Sequence, residues 1–163
     1  MDDTRFEASD LAEVGAVLRE IDICMLVTRA DGRLRGRPMS NNGAVEYDGD
    51  SWFFTLRDTP KVRELAADPR LELAYVATES GCWVSVEGRA SIEDDADRKR
   101  ALWVDDLERW FPQGPDDPEV VLIKASAERI HAWRAGASSC SSPDGRRRAS
   151  PPDRLATRRP ETG

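Results

Sequence analysis

The sequence predicts a small, mostly β domain whose antiparallel sheet curls into a barrel, with a few helices added. Three observations carry this prediction. Short runs of strand-forming residues recur from Ile23 to Ala125. Two dipeptides that favour tight hairpins, Asp31-Gly32 and Asp48-Gly49, stand between them. Only two helical stretches interrupt the run, and about six or seven strands in roughly 110 residues suggest a barrel that closes its own edges.

Ser9 is placed to cap a first helix, Asp10 to about Glu20, where Leu11, Val14, Val17, Leu18 and Ile21 recur at helical spacing. Ile23 to Arg29 reads as a strand, and Asp31-Gly32 returns the chain through Leu34 to Met39. Asp48-Gly49 repeats the device, joining a strand at Ala44 to Tyr47 with one at Ser51 to Leu56. A short helix, Pro60 to Ala67, is opened by Thr59 as cap and closed before Pro69. Strands follow at Leu71 to Thr78 and Cys82 to Ile92. A further helix begins near Asp95 and runs through Leu102, Trp103 and Leu107 toward Trp110, and a Pro- and Gly-rich loop leads to a last strand at Val120 to Ala125. Residues 1–136 form the domain. The stretch Ala137 to Gly163 is rich in Ser, Pro and Arg and poor in large aliphatic residues, so it reads as a disordered basic tail.

The chain has 163 residues and a net charge of -7, which argues against nucleic-acid binding. Six Arg and three acids fall in the tail, leaving 18 basic against 28 acidic residues in the body. No apolar run approaches the ~20 residues of a membrane span, so no membrane partner is expected. Three well-separated cysteines with no Cys-x-x-Cys pair support neither disulfides nor a zinc site, and a cytoplasmic setting follows.

One histidine, His131, leaves triads and His-rich metal sites without members, and it is assigned no role. Glu93, Asp94, Asp95 and Asp97 stand where a helix begins, so capping explains them and no metal site is read there. The helix at Pro60 does the opposite. Lys61 and Arg63 place cations in its first turn, which the helix dipole disfavours unless an anion binds there. Free N–H groups, the Thr59 hydroxyl and the Lys61 ammonium together would make a phosphate site. Pro38 marks an edge strand or bulge, and Arg37 beside it supplies a fork that binds phosphate bidentately.

Arg37-Pro38-Met39, Trp52-Phe53-Phe54-Thr55, Thr59-Pro60-Lys61-Val62 and Trp110-Phe111-Pro112, in that order and spacing, resemble the pyridoxamine 5'-phosphate oxidase-like family in its general-stress-protein branch. The resemblance runs from about Leu18 to Trp133. It implies a split β-barrel, antiparallel and Greek-key-like, that forms a homodimer with FMN in grooves at the protomer interface. It also implies that Arg37 and Lys61 hold the FMN phosphate with help from Thr59, and that the backbone of Pro38 and Met39 lies along the isoalloxazine. Phe54 and Thr55 would line the same groove, and Trp83, Trp110 and Phe111 would close it from one protomer or the other. The Arg and His segment with which members that oxidise pyridoxamine phosphate grip it has no counterpart before Trp133, so that activity is not expected.

The leading functional reading is an FMN-dependent oxidoreductase in which no side chain need act as acid or base, with a nicotinamide or other small redox donor. Two alternatives stand beside it: a relative that holds a deazaflavin coenzyme, and a catalytically silent flavin-binding sensor or stress module. Haem is disfavoured by the single histidine.

Overall fold

The structure, a computed structural model, describes residues 8–43 and 45–134. Its elements are helix α1 (Ala8–Leu18), strands β1 (Ile23–Ala30), β2 (Arg33–Ser40) and β3 (Asp50–Leu56), helix α2 (Pro60–Ala67), strands β4 (Arg70–Ala77) and β5 (Cys82–Glu93), helix α3 (Ala96–Leu102), a 3-10 turn (Asp105–Arg109) and strand β6 (Val120–Arg134). The expected tail, Ala137 to Gly163, lies outside the described residues.

All six strands belong to one antiparallel sheet in the order β2-β1-β4-β5-β6-β3. Asp31 and Gly32 both take positive φ, 52° and 72°, as the two-residue turn between β1 and β2 requires. Long β5 and β6 strands carry the curl. The first part of β5 pairs with β4, while its whole length pairs with β6, whose own start pairs with β3. The curl stops short of closure, because β2 and β3 both remain edges within one chain. That is the gap of a half-barrel, and it corrects the expectation that the barrel closes its own edges.

Alternation fills the concave side. Leu26, Phe53, Leu73, Tyr75, Val86 and Ile123 are almost wholly buried there, each contributing about 1.5–3 kcal/mol through the surface it removes from water. β6 runs nine residues past the expected Ala125, across a bulge at Glu87/Gly88. A Cβ on Gly88 would lie 2.1 Å from the Ser126 carbonyl oxygen, so only glycine lets the two strands stay paired there.

Four further expectations need correction. α1 begins at Ala8 and ends at Leu18, so Ser9 lies inside its first turn instead of capping it. Residues 45–47 are not a strand, Ala44 lies outside the described residues, and Asp48-Gly49 therefore opens β3 without closing a hairpin. The stretch is held by other bonds: Asn41 Nδ2 donates to the carbonyls of Leu18 and Ile21, and Asn42 Nδ2 to that of Leu102. The helix expected from Asp95 to Trp110 divides at Trp103 and Val104, both extended, with Asn42 satisfying a carbonyl at the end of α3. Thr59 occupies the N-cap position of α2, yet its hydroxyl donates to the Leu56 carbonyl at 3.0 Å and caps nothing.

Candidate functional site

The site begins with strand alternation at the β1–β2 hairpin. Cys24, Leu26 and Thr28 face inward from β1, and opposite them on β2 stand Met39, Arg37 and Arg35. An inward-pointing Arg pair on an edge strand needs a counterion, and α2 brings Glu64. Arg37 donates to Glu64 Oε2 and to Thr28 Oγ1, both at 2.6 Å. Thr28 donates its own proton to Glu64 Oε2 at 2.6 Å, and Arg35 donates to Glu64 Oε1 at 3.0 Å. The Glu64 side chain is only 7 % exposed, so its charge is sustainable there only because these groups pair with it. Desolvation pushes its carboxyl upward, but the bonds from Thr28 and Arg37, the Arg37 charge and the Arg35 bond prevail and hold it below the ordinary carboxylate range.

Lys61 stands one turn before Glu64 on the same helix, half-buried. Among the described residues it has no ion-pair partner. Burial lowers its pKa, the Arg37 charge lowers it further, and Glu64 opposes both without prevailing. The fold thus brings Arg37 and Lys61 together, a meeting that the sequence suggested and could not show. The first turn of α2 adds to the same field, since it carries no acidic residue and no side-chain cap. Two cations and an uncapped helix start face one carboxylate that Arg37, Arg35 and Thr28 already occupy. An added anion relieves that imbalance.

The remaining sequence candidates are spread over several faces. Pro38 is exposed on the outer side of β2, while the Met39 side chain is buried in the core. Phe54 and Thr55 are both buried but alternate across β3, so Thr55 shares the side of Phe53 while Phe54 faces a second apolar cluster. There the Phe54 ring packs against Trp103 at 5.3 Å and Phe111 at 6.4 Å, together with Leu107, Val120 and Leu122. Trp110, next to Phe111 in the chain, is 69 % exposed. Trp83 lies on the outer face of the sheet, in register with Trp133. A single chain therefore does not bring Trp83 onto the face that carries Arg37. His131 is exposed, stacked on Trp133 at 5.9 Å.

A family model for pyridoxamine 5'-phosphate oxidase like proteins matches residues 9–142, most of the chain. The chain belongs to this family. General stress protein 26 of Bacillus subtilis is 33 % identical over 106 residues, covering 63 % of this chain and 75 % of that protein. A protein related to general stress protein 26 from Clostridium acetobutylicum superimposes with a TM-score of 0.67 at 24 % identity, over 79 % of this chain and 91 % of the other. The general stress FMN/FAD binding protein of Xanthomonas citri does so with a TM-score of 0.69 at 22 % identity, over 83 % and 96 %. The two structures show the fold, the split barrel of the oxidase-like family, with the gap between β2 and β3 as its split.

Thr28, Arg35 and Glu64 escaped the reading of the sequence. A signal for each was present. Thr28 is a polar residue at an inward position of an otherwise apolar alternation, and Arg35 shares a strand face with Arg37 two residues on. Glu64 follows Lys61 by three residues, the spacing that puts two side chains on one helical face. What alternation and spacing lacked was the packing of α2 beside β1.

Proposed function

We propose that the chain binds FMN through its phosphate at Arg37 and Lys61 and acts as a flavin-dependent oxidoreductase in the form of a homodimer. One observation carries the reading: Lys61 is a half-buried cation without an ion-pair partner among the described residues, beside Arg37 and at an uncapped helix start. Such an arrangement costs the folded protein free energy until a multiply charged oxyanion arrives, and a phosphate monoester supplies one. That a similar protein from Xanthomonas citri is an FMN/FAD binding protein supports a flavin as the bearer of the phosphate.

In this reading Lys61 and the start of α2 receive the phosphate, and Arg37 offers whatever donor capacity Glu64 and Thr28 leave. Glu64, Thr28 and Arg35 act as positioning residues that hold the Arg37 guanidinium in one orientation. A bound flavin would supply a ring that accepts and returns hydride or electrons. The protein's part is to bind and orient it.

The outer face of the sheet favours a homodimer. Two residues beyond the Met25–Ala74 pair lie Ile23 and Val76, and register continues from Val76 to Trp83 and on to Trp133. These four side chains are 54 %, 50 %, 39 % and 48 % exposed, an apolar row across four strands. A contiguous apolar patch of this kind on a small protein marks an interaction surface. Sedimentation equilibrium is expected to give twice the chain mass, and Trp83→Arg to shift it to the chain mass. The cytoplasm is the compartment this reading assigns; no described helix is long and apolar enough to cross a membrane.

The deciding experiment is a visible absorption spectrum of the purified protein before and after incubation with FMN and desalting. A retained flavin spectrum with one FMN per chain supports the proposal, and reduction of that flavin by a nicotinamide donor supports the oxidoreductase reading. Protein that leaves the column colourless contradicts the first, and bound flavin that no donor reduces contradicts the second.

A further inference from the structure

The chain has three lysines, Lys61 on α2, Lys99 on α3 and Lys124 on β6, and they differ in what holds them. Two are locked. Lys99 is buried, with its Nζ donating to Asp94 Oδ1 at 2.8 Å and to the Val120 carbonyl at 3.0 Å. Lys124 lies 3.0 Å from Asp50 Oδ2 and 5.4 Å from the centre of the Trp52 ring, and the Asp50 bond raises its pKa. An ammonium engaged in this way keeps its proton, so its lone pair is unavailable to attack. Lys61 is half-buried without an ion-pair partner among the described residues, and burial, then the Arg37 charge, push it toward the neutral amine.

A nucleophilic amine at a phosphate site is matched to one class of electrophile. In an acyl phosphate a single bridging oxygen joins the reactive carbonyl carbon to the phosphate. An amine close enough to bond a phosphate oxygen is therefore close to that carbon too, which supplies the proximity a two-body reaction lacks. The leaving group of the attack is phosphate itself. Arg37, whose charge already bears on Lys61, and the uncapped start of α2 are the groups suited to receive it. The charges that bear on Lys124 are carboxylates, Asp50, Glu93 and Asp48, and these repel an anionic donor.

We propose that Lys61 is a site of self-acylation by acyl phosphates, with Arg37 and the start of α2 holding the phosphate of the donor. The neutral Nζ attacks the carbonyl carbon, the bond from that carbon to the bridging oxygen breaks, inorganic phosphate leaves with the electron pair, and Nζ releases one proton to water. The product is a neutral amide. Acylation thus removes the cation on which phosphate recognition relies, and a chain acylated at Lys61 binds a flavin phosphate poorly. The inference rests on the phosphate half of the reading above, whatever molecule carries that phosphate.

Peptide mass spectrometry of the full chain, after incubation with acetyl phosphate or with acetic anhydride, measures the acetylated fraction at each lysine. Acetyl phosphate is expected to modify Lys61 roughly tenfold faster than Lys124, and acetic anhydride, which has no phosphate, to give a smaller ratio. Excess inorganic phosphate should remove the preference of acetyl phosphate for Lys61, and FMN should do the same. Equal labelling of Lys61 and Lys124 by acetyl phosphate overturns the inference, as does the same ratio with both donors or a preference that persists in excess phosphate. Retention of FMN by a chain that acetyl phosphate leaves unmodified at Lys61 overturns this inference alone. Protection by phosphate without protection by FMN supports it and overturns the flavin reading.

Discussion

Two lysines in this chain stand in opposite situations. Lys99 on α3 is 3 % exposed, yet its Nζ donates to Asp94 Oδ1 at 2.8 Å and to the Val120 carbonyl at 3.0 Å, and Asp94 is paired in turn with Arg57. That cluster is closed: the buried ammonium bonds a neighbouring carboxylate and the start of β6. Lys61 is less buried and has no such partner among the described residues; the charges that bear on it are one cation, Arg37, and one carboxylate already in use, Glu64. The first cluster is architecture, and the second is the one proposed to take a ligand. A charge buried with partners holds elements together, whereas a charge half-buried beside a like charge weakens the fold that contains it.

The contrast has its largest consequence at Lys99. Lys99→Ala leaves the Val120 carbonyl without its donor and opens a void, and unfolding stability should fall by about 2–4 kcal/mol, the upper range being moderated because Asp94 is half exposed and can rehydrate. Chemical denaturation measures this, and flavin affinity of the folded fraction should be unchanged.

Lys61→Ala should do the reverse. FMN affinity is expected to fall by about 1.5–3 kcal/mol, as for a lost hydrogen bond to a charged group, while unfolding stability without ligand holds or rises. Equal losses of stability at the two lysines would erase the distinction.

The pH dependence separates the two members of the site itself. Lys61 titrates below its ordinary 10.5, so the unfolded chain holds more protons at this group in the window between the lowered value and 10.5, and the Lys61 contribution to ligand-free stability rises with pH across it, opposed near pH 10 by Tyr47 and Tyr75, whose hydroxyls burial pushes upward. Lys61→Ala should remove that contribution, so that stability across the window falls more steeply with pH than in the wild type. Glu64 titrates below its ordinary 4.5, so its stabilisation is fully present above 4.5 and is lost as pH falls through the lowered value. Glu64→Gln should flatten that acid-side loss in thermal melts taken along a pH series.

The smallest effect is expected at His131, exposed and stacked on Trp133. His131→Ala should change stability by no more than about 0.5 kcal/mol, as for an ordinary surface position. A large loss of bound flavin in that variant would show that the outer face contributes to the site.

Local chemistry made much of the fold legible. Asp31-Gly32 demanded a positive-φ turn, Pro38 demanded an edge strand, and Asp95 does cap α3 by accepting from the Arg98 N–H at 2.9 Å. Where tertiary bonds compete with local pattern, the sequence misled. Val45-Glu46-Tyr47 alternates like a strand, but Asn41 and Asn42 just before it spend their amides on helix ends, and the chain there joins no ladder. β6 outran its expected end because a polar stretch, Ser126 to Arg129, hid a strand that Gly88 alone makes room for. Within the site, Arg37 and Lys61 announced themselves by their neighbours Pro38 and Pro60. Glu64 did not, since a glutamate inside a short helix is ordinary until the helix packs it against two arginines.

In the proposed reading, phosphate recognition rests on Lys61 before any other residue. A pair of titrations probes it without intermediate steps, FMN and riboflavin against wild type and Lys61→Ala, because riboflavin has the ring without the phosphate. Wild type should prefer FMN by roughly tenfold or more, and Lys61→Ala should lose most of that preference while its riboflavin affinity stays the same. A wild type that binds both equally, or a variant that keeps the full preference for FMN, would contradict the role of Lys61.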